Sequence, residues 1–352
     1  MSDIEAPNPH YHTVLEATNQ WGIELGMLRL VDERTVRKLG EISASVVADI
    51  GPGFERKGYE RFAKQIAAFF WADGWDGEFN PPSEPADSQS EAPEQPPPPP
   101  EFFELIESID NTLSRPEAAT RSDNPYVKMW GHIALWTAED VAPWQDDYWQ
   151  DWTKKYMQGL TEERKHRVEG TVPPTYEEYL TLRQKTAAVH VVTLAAAAAV
   201  RLRLPQELWD NVDLTEAREL TSFIVAIDND IVSYDHELEE GRPDMNIVSY
   251  MLGPGEDEAE IIQNAKDKAT GIRDEKYDRL IKIREELEAS DADPLILQYI
   301  DVALLGWIHG YRNYVKRMAR VAEAARAAKK DTAAAHESNR YTVAPSESQP
   351  KI

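Results

Sequence analysis

The sequence predicts an all-α fold that forms a single domain. Apolar residues recur at helical spacing along almost all of its 352 residues, which is the pattern of amphipathic helices. Alternating runs of Val, Ile and Thr bounded by turn residues, which indicate strands, are scarce. No repeat period is visible, and the connections between periodic segments are short. These features favour about ten helices packed around one core.

The individual helices are predicted from apolar periodicity and from residues that can cap a helix start. Asp32, Thr175 and Asp213 each precede a periodic segment. A short oxygen-bearing side chain at this position accepts a hydrogen bond from a free backbone N–H group of the first turn. The predicted helices cover residues 12–29, 33–50, 56–73, 102–115, 124–138, 142–158, 174–201, 214–240, 256–288 and 293–327.

The composition excludes several classes of site and partner. The formal net charge is −25, whereas nucleic acids and anionic membranes require a basic surface. The absence of cysteine excludes disulfides, thiolate catalysis and cysteine-based zinc sites. The opening MSDIEAPNPH is too acidic and polar for a signal peptide, and the longest apolar run, residues 189–200, is too short to span a bilayer. We therefore expect a cytoplasmic protein that binds neither nucleic acid nor membrane.

Two segments differ from the helical pattern. Residues 80–100 contain nine prolines and no basic residue, which excludes a helix and favours a disordered insertion. A recruitment site for a proline-binding module is the alternative, because the five-proline run should adopt the polyproline II conformation. The tail, residues 331–352, is polar. We therefore expect one domain over residues 1–330 and a flexible tail after it.

A face of oxygen-bearing side chains is predicted on the helix that contains NDIVSYDHELEEG, residues 229–241. Asn229, Ser233 and Glu237 follow one another at intervals of four residues, so each is rotated by only about 40° from the last and all share a face. Amide, hydroxyl and carboxylate oxygens are ligands that suit Mg²⁺. A solvated polar stripe is the alternative that the spacing alone leaves open.

The same residues carry a resemblance to a known family. Asn229, Ser233 and Glu237 resemble the second metal-binding motif of microbial class I terpene synthases, and the continuation GRPDMNIV, residues 241–248, resembles the family's sequence directly after that motif. The resemblance implies a class I terpenoid synthase helical bundle around a central active-site cavity. It also implies that three Mg²⁺ ions hold the diphosphate of a linear isoprenyl substrate, which ionises and leaves an allylic carbocation in an apolar pocket.

The family has a further aspartate-rich motif at the end of an upstream helix, and two segments compete for this role. QDDYWQDW, residues 145–152, contains the paired Asp146 and Asp147, but it lies too close to the triad. FFWADGWDGEF, residues 69–79, ends an amphipathic helix about 150 residues before the triad, where the family places the motif. We therefore choose the second segment.

Within this segment, Asp73 takes the position of the family's first aspartate. The second position is Gly74, which departs from the family pattern. Asp76 and Glu78 supply later carboxylates, and we assign Asp76 with Asp73 as metal ligands. Whether Asp76 or Glu78 joins Asp73 stays open.

A cationic residue is expected opposite the triad, because diphosphate departure requires donors that stabilise the leaving anion. The family has a sensor arginine about 46 residues before its triad, and Arg183 occupies this position. Thr186 and Ala187 fall at positions that resemble the family's linker and effector residues, near an expected helix break. Ala187 replaces the more usual glycine. An ordinary surface arginine is the alternative interpretation of Arg183.

Three further residues resemble diphosphate-binding positions of the family. Arg340 and Tyr341 resemble its C-terminal Arg-Tyr pair, which contacts diphosphate when the site closes, and they imply that the tail orders over the bound substrate. His236 occupies a place where relatives often have Lys or Arg. A partly exposed helix histidine is the alternative interpretation of His236.

Aromatic residues near these motifs are candidates for the pocket wall, since aromatic faces stabilise cations. Phe70 lies just before Asp73, while Trp307 and Tyr314 lie two helical turns apart on a helix that resembles the family's final aromatic-bearing helix. Each of the three can equally be ordinary core. Trp130, Trp149 and Trp152 are interpreted as core or surface packing.

The sequence therefore predicts a terpene cyclase that converts a linear isoprenyl diphosphate, with farnesyl diphosphate as the expected substrate, to a sesquiterpene. A diterpene cyclase using geranylgeranyl diphosphate is a close alternative, and a chain-elongating prenyltransferase resembles the chain less. A non-catalytic helical binding protein derived from the fold is an alternative of another class. A di-iron bundle is disfavoured because it requires two Glu-x-x-His pairs. A homodimer is possible.

Overall fold

The computed structural model describes residues 8–73, 99–239, 245–253, 258–317 and 319–320, with Asp73 as backbone only. Within these ranges the chain is helical and contains no β-strand, which confirms the all-α prediction. The chain divides into two compact units, Met1–Tyr311 and Arg312–Ile352. Most of the Pro-rich segment, residues 80–98, lies outside the described ranges, as does the tail after residue 320.

The first helices follow the predicted bounds closely. They are α1 (Tyr11–Leu25), a short 3-10 turn (Met27–Arg29), α2 (Glu33–Ile50) and α3 (Arg56–Asp73). The predicted cap of α2 is present: the side chain of Asp32 accepts a hydrogen bond from the backbone N–H of Thr35 at 2.7 Å. The described part of α3 extends to Asp73, the candidate aspartate.

Proline at the first position defines the next four helices. They are α4 (Pro100–Ser114), α5 (Pro116–Ala119), α6 (Pro125–Asp140) and α7 (Pro143–Glu169). Proline suits this position because its fixed φ is helical and its missing N–H would have no partner there. The prediction that a helix ends at residue 158 is wrong, since α7 continues for three more turns to Gly170, which closes it at φ +61°.

The predicted helix over residues 174–201 is wrong as a single element, because it is two helices. α8 (Tyr176–Thr186) begins at the predicted cap Thr175, and α9 (Val189–Ala199) follows a break. Ala188 sits in the left-handed region with φ +55°, which an L-residue other than glycine adopts at some cost. The break predicted from the family resemblance is therefore present, with alanines in place of glycine.

The remaining helices position the C-terminal half of the candidate site. The predicted helix over residues 293–327 is interrupted by a π-helical turn, and its described part continues as helix over residues 306–317. No helix within the described residues combines the length and the apolarity that a bilayer crossing requires. The elements are α10 (Gln206–Trp209), α11 (Val212–Glu239), α12 (Ile247–Met251), α13 (Glu258–Ala289), α14 (Pro294–Tyr299) and the π turn (Ile300–Leu305).

Aromatic side chains fill the core between α3, α6 and α7. The ring of Phe69 meets the rings of Trp130 and Tyr156 edge-on, with centroids 5.2 and 5.0 Å away, an arrangement that aromatic pairs favour. Trp130 and Trp149 are fully buried and pack against each other. The interpretation of these two tryptophans as core is confirmed.

Candidate active site

The candidate site lies on the last turns of α11. The turn just before them, from Ile224 to Ile227, is apolar and buried. Asn229, Ser233 and Glu237 then follow at intervals of four residues, and all three are partly exposed. Because α11 is uninterrupted over this stretch, the three side chains share one face of the helix, as predicted.

Arg183 joins α8 to this face. Its Nη2 donates to Oδ1 of Asn229 at 2.5 Å, and its Nε donates to Oδ1 of Asp230 at 2.9 Å. Its Nη1 lies 3.4 Å from Oγ1 of Thr186, one turn further along α8. The side chain is only 19% exposed. The structure therefore brings together the predicted sensor arginine, the linker residue and the first residue of the triad.

Asp230 is the buried anchor of this arrangement. Its side chain is 4% exposed, and besides Arg183 it accepts from the hydroxyl of Tyr179 and from the backbone N–H of Ile247. Burial alone would lower the pKa of Arg183, but the adjacent Asp230 carboxylate outweighs it and raises that pKa above its ordinary value. Arg183 is therefore charged, and the side chain of Asp230 is committed to α8 and α12.

Asn246 supports the end of the triad. It is fully buried at the start of α12, and its Nδ2 donates to Oε2 of Glu237 at 3.0 Å and to the backbone oxygen of Asp230 at 2.8 Å. Oδ1 of Asn246 accepts from the backbone N–H of Val248. Sequence reasoning missed Asn246, although it noted the resemblance of the segment that contains it. The signal was an Asn at the cap position of a short helix.

Tyr311 contacts the triad from the helix over residues 306–317. Its hydroxyl accepts from Nδ2 of Asn229 at 2.9 Å. Burial raises the pKa of Tyr311 to about 12, so the hydroxyl stays neutral near neutral pH. Sequence reasoning missed this residue as well, because nothing in the spacing along the chain links it to Asn229.

The break between α8 and α9 is packed closely against α7. A Cβ added at Gly159 would lie 2.8 Å from Cβ of Lys185 and 3.1 Å from Cγ2 of Thr186, so only glycine permits this approach. The backbone N–H of Ala187 still bonds to the oxygen of Arg183 at 2.9 Å. The helical path therefore changes at Ala188, directly after the predicted linker and effector residues.

The two candidate aspartate segments occupy different positions on helices. Asp73 is the last described residue of α3, whereas Asp146 lies in the first turn of α7, where its Oδ2 accepts from Gln150. Asp151 pairs with Lys155 one turn later. The predicted residue Asp76 lies outside the described residues, as do Arg340 and Tyr341. Their roles therefore stay predictions.

The remaining predicted residues have varied surroundings. His236 is exposed on α11, and Phe70 is partly buried on α3. Trp307 is 7% exposed and packs against Phe62 of α3, with ring centroids 6.1 Å apart. Tyr314 belongs to the second compact unit, where the guanidinium of Arg317 lies over its ring. Pocket-lining roles for the three aromatic residues stay predictions.

The donor atoms on α11 suit a hard divalent cation. Asn229, Ser233 and Glu237 present amide, hydroxyl and carboxylate oxygens, which Mg²⁺ prefers over nitrogen or sulfur. In the part of the chain that the structure describes, no group of three or more His, Cys, Asp or Glu side chains is placed to hold a metal. A metal bound here would therefore depend on the mixed oxygen triad and on further ligands from the substrate.

Comparison with protein families shows which family the chain belongs to. A family model described as terpene synthase family 2, C-terminal metal binding, matches residues 87–278. The chain belongs to this terpene synthase family. Its matched region includes Arg183 and the whole triad, so the resemblance to microbial class I terpene synthases is confirmed, and the family's description supports use of a metal.

Characterised relatives include terpene synthases of bacteria. A 4-epi-cubebol synthase of Streptosporangium roseum, which cyclises (2E,6E)-farnesyl diphosphate, is 24% identical over 325 residues, covering 92% of this chain and 91% of that enzyme. A (+)-T-muurolol synthase of Streptomyces clavuligerus is 24% identical over 214 residues. That match covers 59% of this chain and 49% of that synthase, so the chain spans about half the length of this relative.

Solved structures of terpene synthases share the fold. An α-eudesmol synthase superposes with a TM-score of 0.69 at 15% identity, covering 90% of this chain and 97% of that one. The linalool/nerolidol synthase of Streptomyces clavuligerus, in complex with 2-fluorogeranyl diphosphate, also gives 0.69 at 15% identity, covering 88% of this chain and 99% of that one. The predicted class I terpenoid synthase bundle is therefore confirmed.

Proposed function

We propose that the chain is a Mg²⁺-dependent terpene cyclase that converts farnesyl diphosphate to a sesquiterpene and releases diphosphate. The observation that carries this proposal is the contact of Arg183 with Asn229, which joins a largely buried cation of α8 to the oxygen triad of α11. Both kinds of partner suit a diphosphate, because metal ions and the forked donors of arginine both stabilise its negatively charged oxygens. The cyclases of farnesyl diphosphate among the relatives support the substrate.

The residues of the triad would hold the metal through Oδ1 of Asn229, Oγ of Ser233 and the carboxylate of Glu237. Bound Mg²⁺ supplies Lewis acidity that stabilises charge on the departing diphosphate. Asn246 fixes the Glu237 carboxylate through its 3.0 Å hydrogen bond. Asp73, on α3, would contribute a ligand to a further ion. The predicted number of three ions stays a prediction of the family resemblance.

Arg183 would bind the diphosphate as it leaves. In this step the allylic carbon–oxygen bond breaks and its electron pair departs with the diphosphate, so the negative charge on the leaving group grows. A permanently charged guanidinium with forked N–H donors is suited to that charge. The carbocation would then close rings against apolar walls. It would lose a proton to diphosphate, water or a backbone carbonyl, or capture water and release a proton, to give the neutral product.

Product analysis tests this proposal. The purified protein is incubated with Mg²⁺ and either farnesyl or geranylgeranyl diphosphate, and the extracted terpenes, hydrocarbons and alcohols alike, are analysed by gas chromatography and mass spectrometry. We expect a sesquiterpene from farnesyl diphosphate. A product from geranylgeranyl diphosphate alone would identify a diterpene cyclase. No hydrocarbon and no diphosphate release from either substrate would identify a non-catalytic binding protein and overturn the proposal.

A pair of variants tests the choice of aspartate segment. Asp73→Ala is expected to abolish turnover, because it removes a predicted ligand at the end of α3. Asp146→Ala is the matched control, since this carboxylate accepts from Gln150 on its own helix. An active Asp73→Ala beside an inactive Asp146→Ala would show that the segment over residues 145–152 is the metal-binding one.

A further inference from the structure

We propose that Tyr311 is a positioning residue that fixes the orientation of the Asn229 carboxamide, so that its oxygen and not its nitrogen faces the metal. This inference rests on the proposed function, in which Asn229 is a metal ligand. The hydroxyl of Tyr311 lies 2.9 Å from Nδ2 of Asn229. The two residues are 82 positions apart in the sequence, so their contact is a product of the fold.

The orientation of the amide follows from the chemistry of its two neighbours. Arg183 carries five N–H donors and no acceptor, so the atom of Asn229 that lies 2.5 Å from its Nη2 must be the oxygen. The nitrogen therefore points to the opposite side, where the hydroxyl of Tyr311 can accept. Arg183 and Tyr311 thus hold the two ends of one carboxamide.

The orientation matters because the ends of an amide differ as ligands. The oxygen has lone pairs that can coordinate a hard cation, whereas the NH₂ group has only donors. Glu237 has two equivalent carboxylate oxygens, and Ser233 has a hydroxyl that can rotate. Asn229 is therefore the one member of the triad that loses its ligand atom if the side chain flips.

Arg183 cannot keep the amide in place throughout the reaction. When its guanidinium binds diphosphate, its contact with Oδ1 of Asn229 would be replaced by the metal. The hydrogen bond to Tyr311 lies on the opposite end of the amide and does not compete with coordination. Tyr311 therefore maintains the orientation in the state that contains metal and diphosphate.

The test is metal binding by Tyr311→Phe, which removes the acceptor and keeps the ring. Mn²⁺ is titrated in the presence of inorganic diphosphate, with free Mn²⁺ measured by electron paramagnetic resonance. We expect about fivefold weaker Mn²⁺ binding, the magnitude typical of one lost hydrogen bond. Tyr277→Phe is the matched control, because its hydroxyl lies 2.8 Å from Nε2 of His309, and this variant should bind Mn²⁺ as the wild type does.

A second background separates positioning from a general structural effect. Asn229→Asp presents oxygen at both ends, so orientation no longer matters, and adding Tyr311→Phe to it should cost no further Mn²⁺ affinity. Three results would overturn the inference. They are an equal loss of Mn²⁺ affinity from Tyr311→Phe in the wild type and in Asn229→Asp, no loss of affinity from Tyr311→Phe alone, and no Mn²⁺ binding by Asn229→Asp. Asn229→Ala with wild-type Mn²⁺ binding would instead overturn the proposed metal site.

Discussion

Nη2 of Arg183 lies 2.5 Å from Oδ1 of Asn229, so a protein cation contacts the oxygen that the proposed function assigns to a metal ion. The two residues lie on different helices, α8 and α11. Arg183 also donates to Asp230, the residue that follows Asn229 in the chain. This relationship implies that metal and arginine compete for Asn229 until diphosphate gives the arginine another partner.

The first prediction comes from this competition. Arg183→Gln should bind Mn²⁺ alone up to about tenfold more tightly, because a charge-assisted contact to Oδ1 of Asn229 is removed. The same variant should bind Mn²⁺ with inorganic diphosphate more weakly. Isothermal titration calorimetry measures both. Lys185→Gln removes a charge from the same helix, where Lys185 pairs with Glu162 at the surface, and should change neither value. Weaker binding of Mn²⁺ alone by Arg183→Gln would contradict the competition.

The second prediction concerns the stability that Asp230 contributes. Asp230→Asn should lower the free energy of unfolding by about 2–3 kcal/mol, because the amide cannot accept from Tyr179, Ile247 and Arg183 together and leaves a buried charge unpaired. Urea denaturation measures the loss. Asp235→Asn is the control, since this exposed carboxylate pairs with Lys266 and such pairs contribute less than about 1 kcal/mol. Equal decreases in the free energy of unfolding for both variants would contradict the stabilising role of Asp230.

The third prediction concerns the break between α8 and α9. Ala188 has φ +55°, whereas Ala187 has φ −68°. Ala187→Gly should cost about 1 kcal/mol, as glycine does in helical conformation. Ala188→Gly should cost less than this or stabilise the protein, because a left-handed alanine is strained by about 1–2 kcal/mol. Thermal or urea unfolding of the two variants compares them directly, and a greater loss for Ala188→Gly would contradict the assigned break.

The fourth prediction is a pH dependence from His190, which is 2% exposed, stacks on Trp152 and bonds through Nδ1 to Tyr148. Burial lowers the pKa of His190 to about 3 from 6.5. The unfolded chain therefore takes up a proton below pH 6.5 that the folded chain does not, so stability falls as the pH falls from about 6.5 toward 3. At pH 5 the free energy of unfolding is lowered by about 2 kcal/mol through this effect.

Urea denaturation at pH 7.5 and pH 5 measures this effect in the wild type and in His190→Gln. The variant loses the contact with Tyr148, so it should be less stable at pH 7.5. The decrease in its free energy of unfolding between pH 7.5 and pH 5 should be smaller than that of the wild type by about 2 kcal/mol. Comparing the two slopes cancels the contribution of all other titrating groups. Parallel pH dependences would show that His190 does not remain neutral in the folded protein.

The helices and part of the site could be predicted because they depend on local features. Asp32 and Thr175 cap helices where the sequence placed them, and periodicity located α2 and the start of α3 to the residue. Asn229, Ser233 and Glu237 share a face because helical spacing requires it. Arg183 was predicted from the family resemblance, since no local rule connects residues 46 positions apart.

The missed features depend on contacts between distant elements. Asn246 and Tyr311 reach the triad from α12 and from the helix over residues 306–317, and only the packed structure brings them there. The partners of Asp230 are equally distant in sequence. The break at Ala188 was expected from the resemblance, but alanine carries no local signal for a left-handed conformation, so periodicity alone predicted one continuous helix.

Diphosphate release from farnesyl diphosphate in the presence of Mg²⁺ tests the central claim most directly. We expect steady release by the wild type, at least about a hundredfold slower release by Asn229→Ala, and near wild-type release by Asp235→Asn on the same helix. Removal of Mg²⁺ by a chelator should abolish release. Equal rates for the wild type and Asn229→Ala, or release that persists without a divalent metal, would contradict the assignment of Asn229, Ser233 and Glu237 as the metal-binding triad.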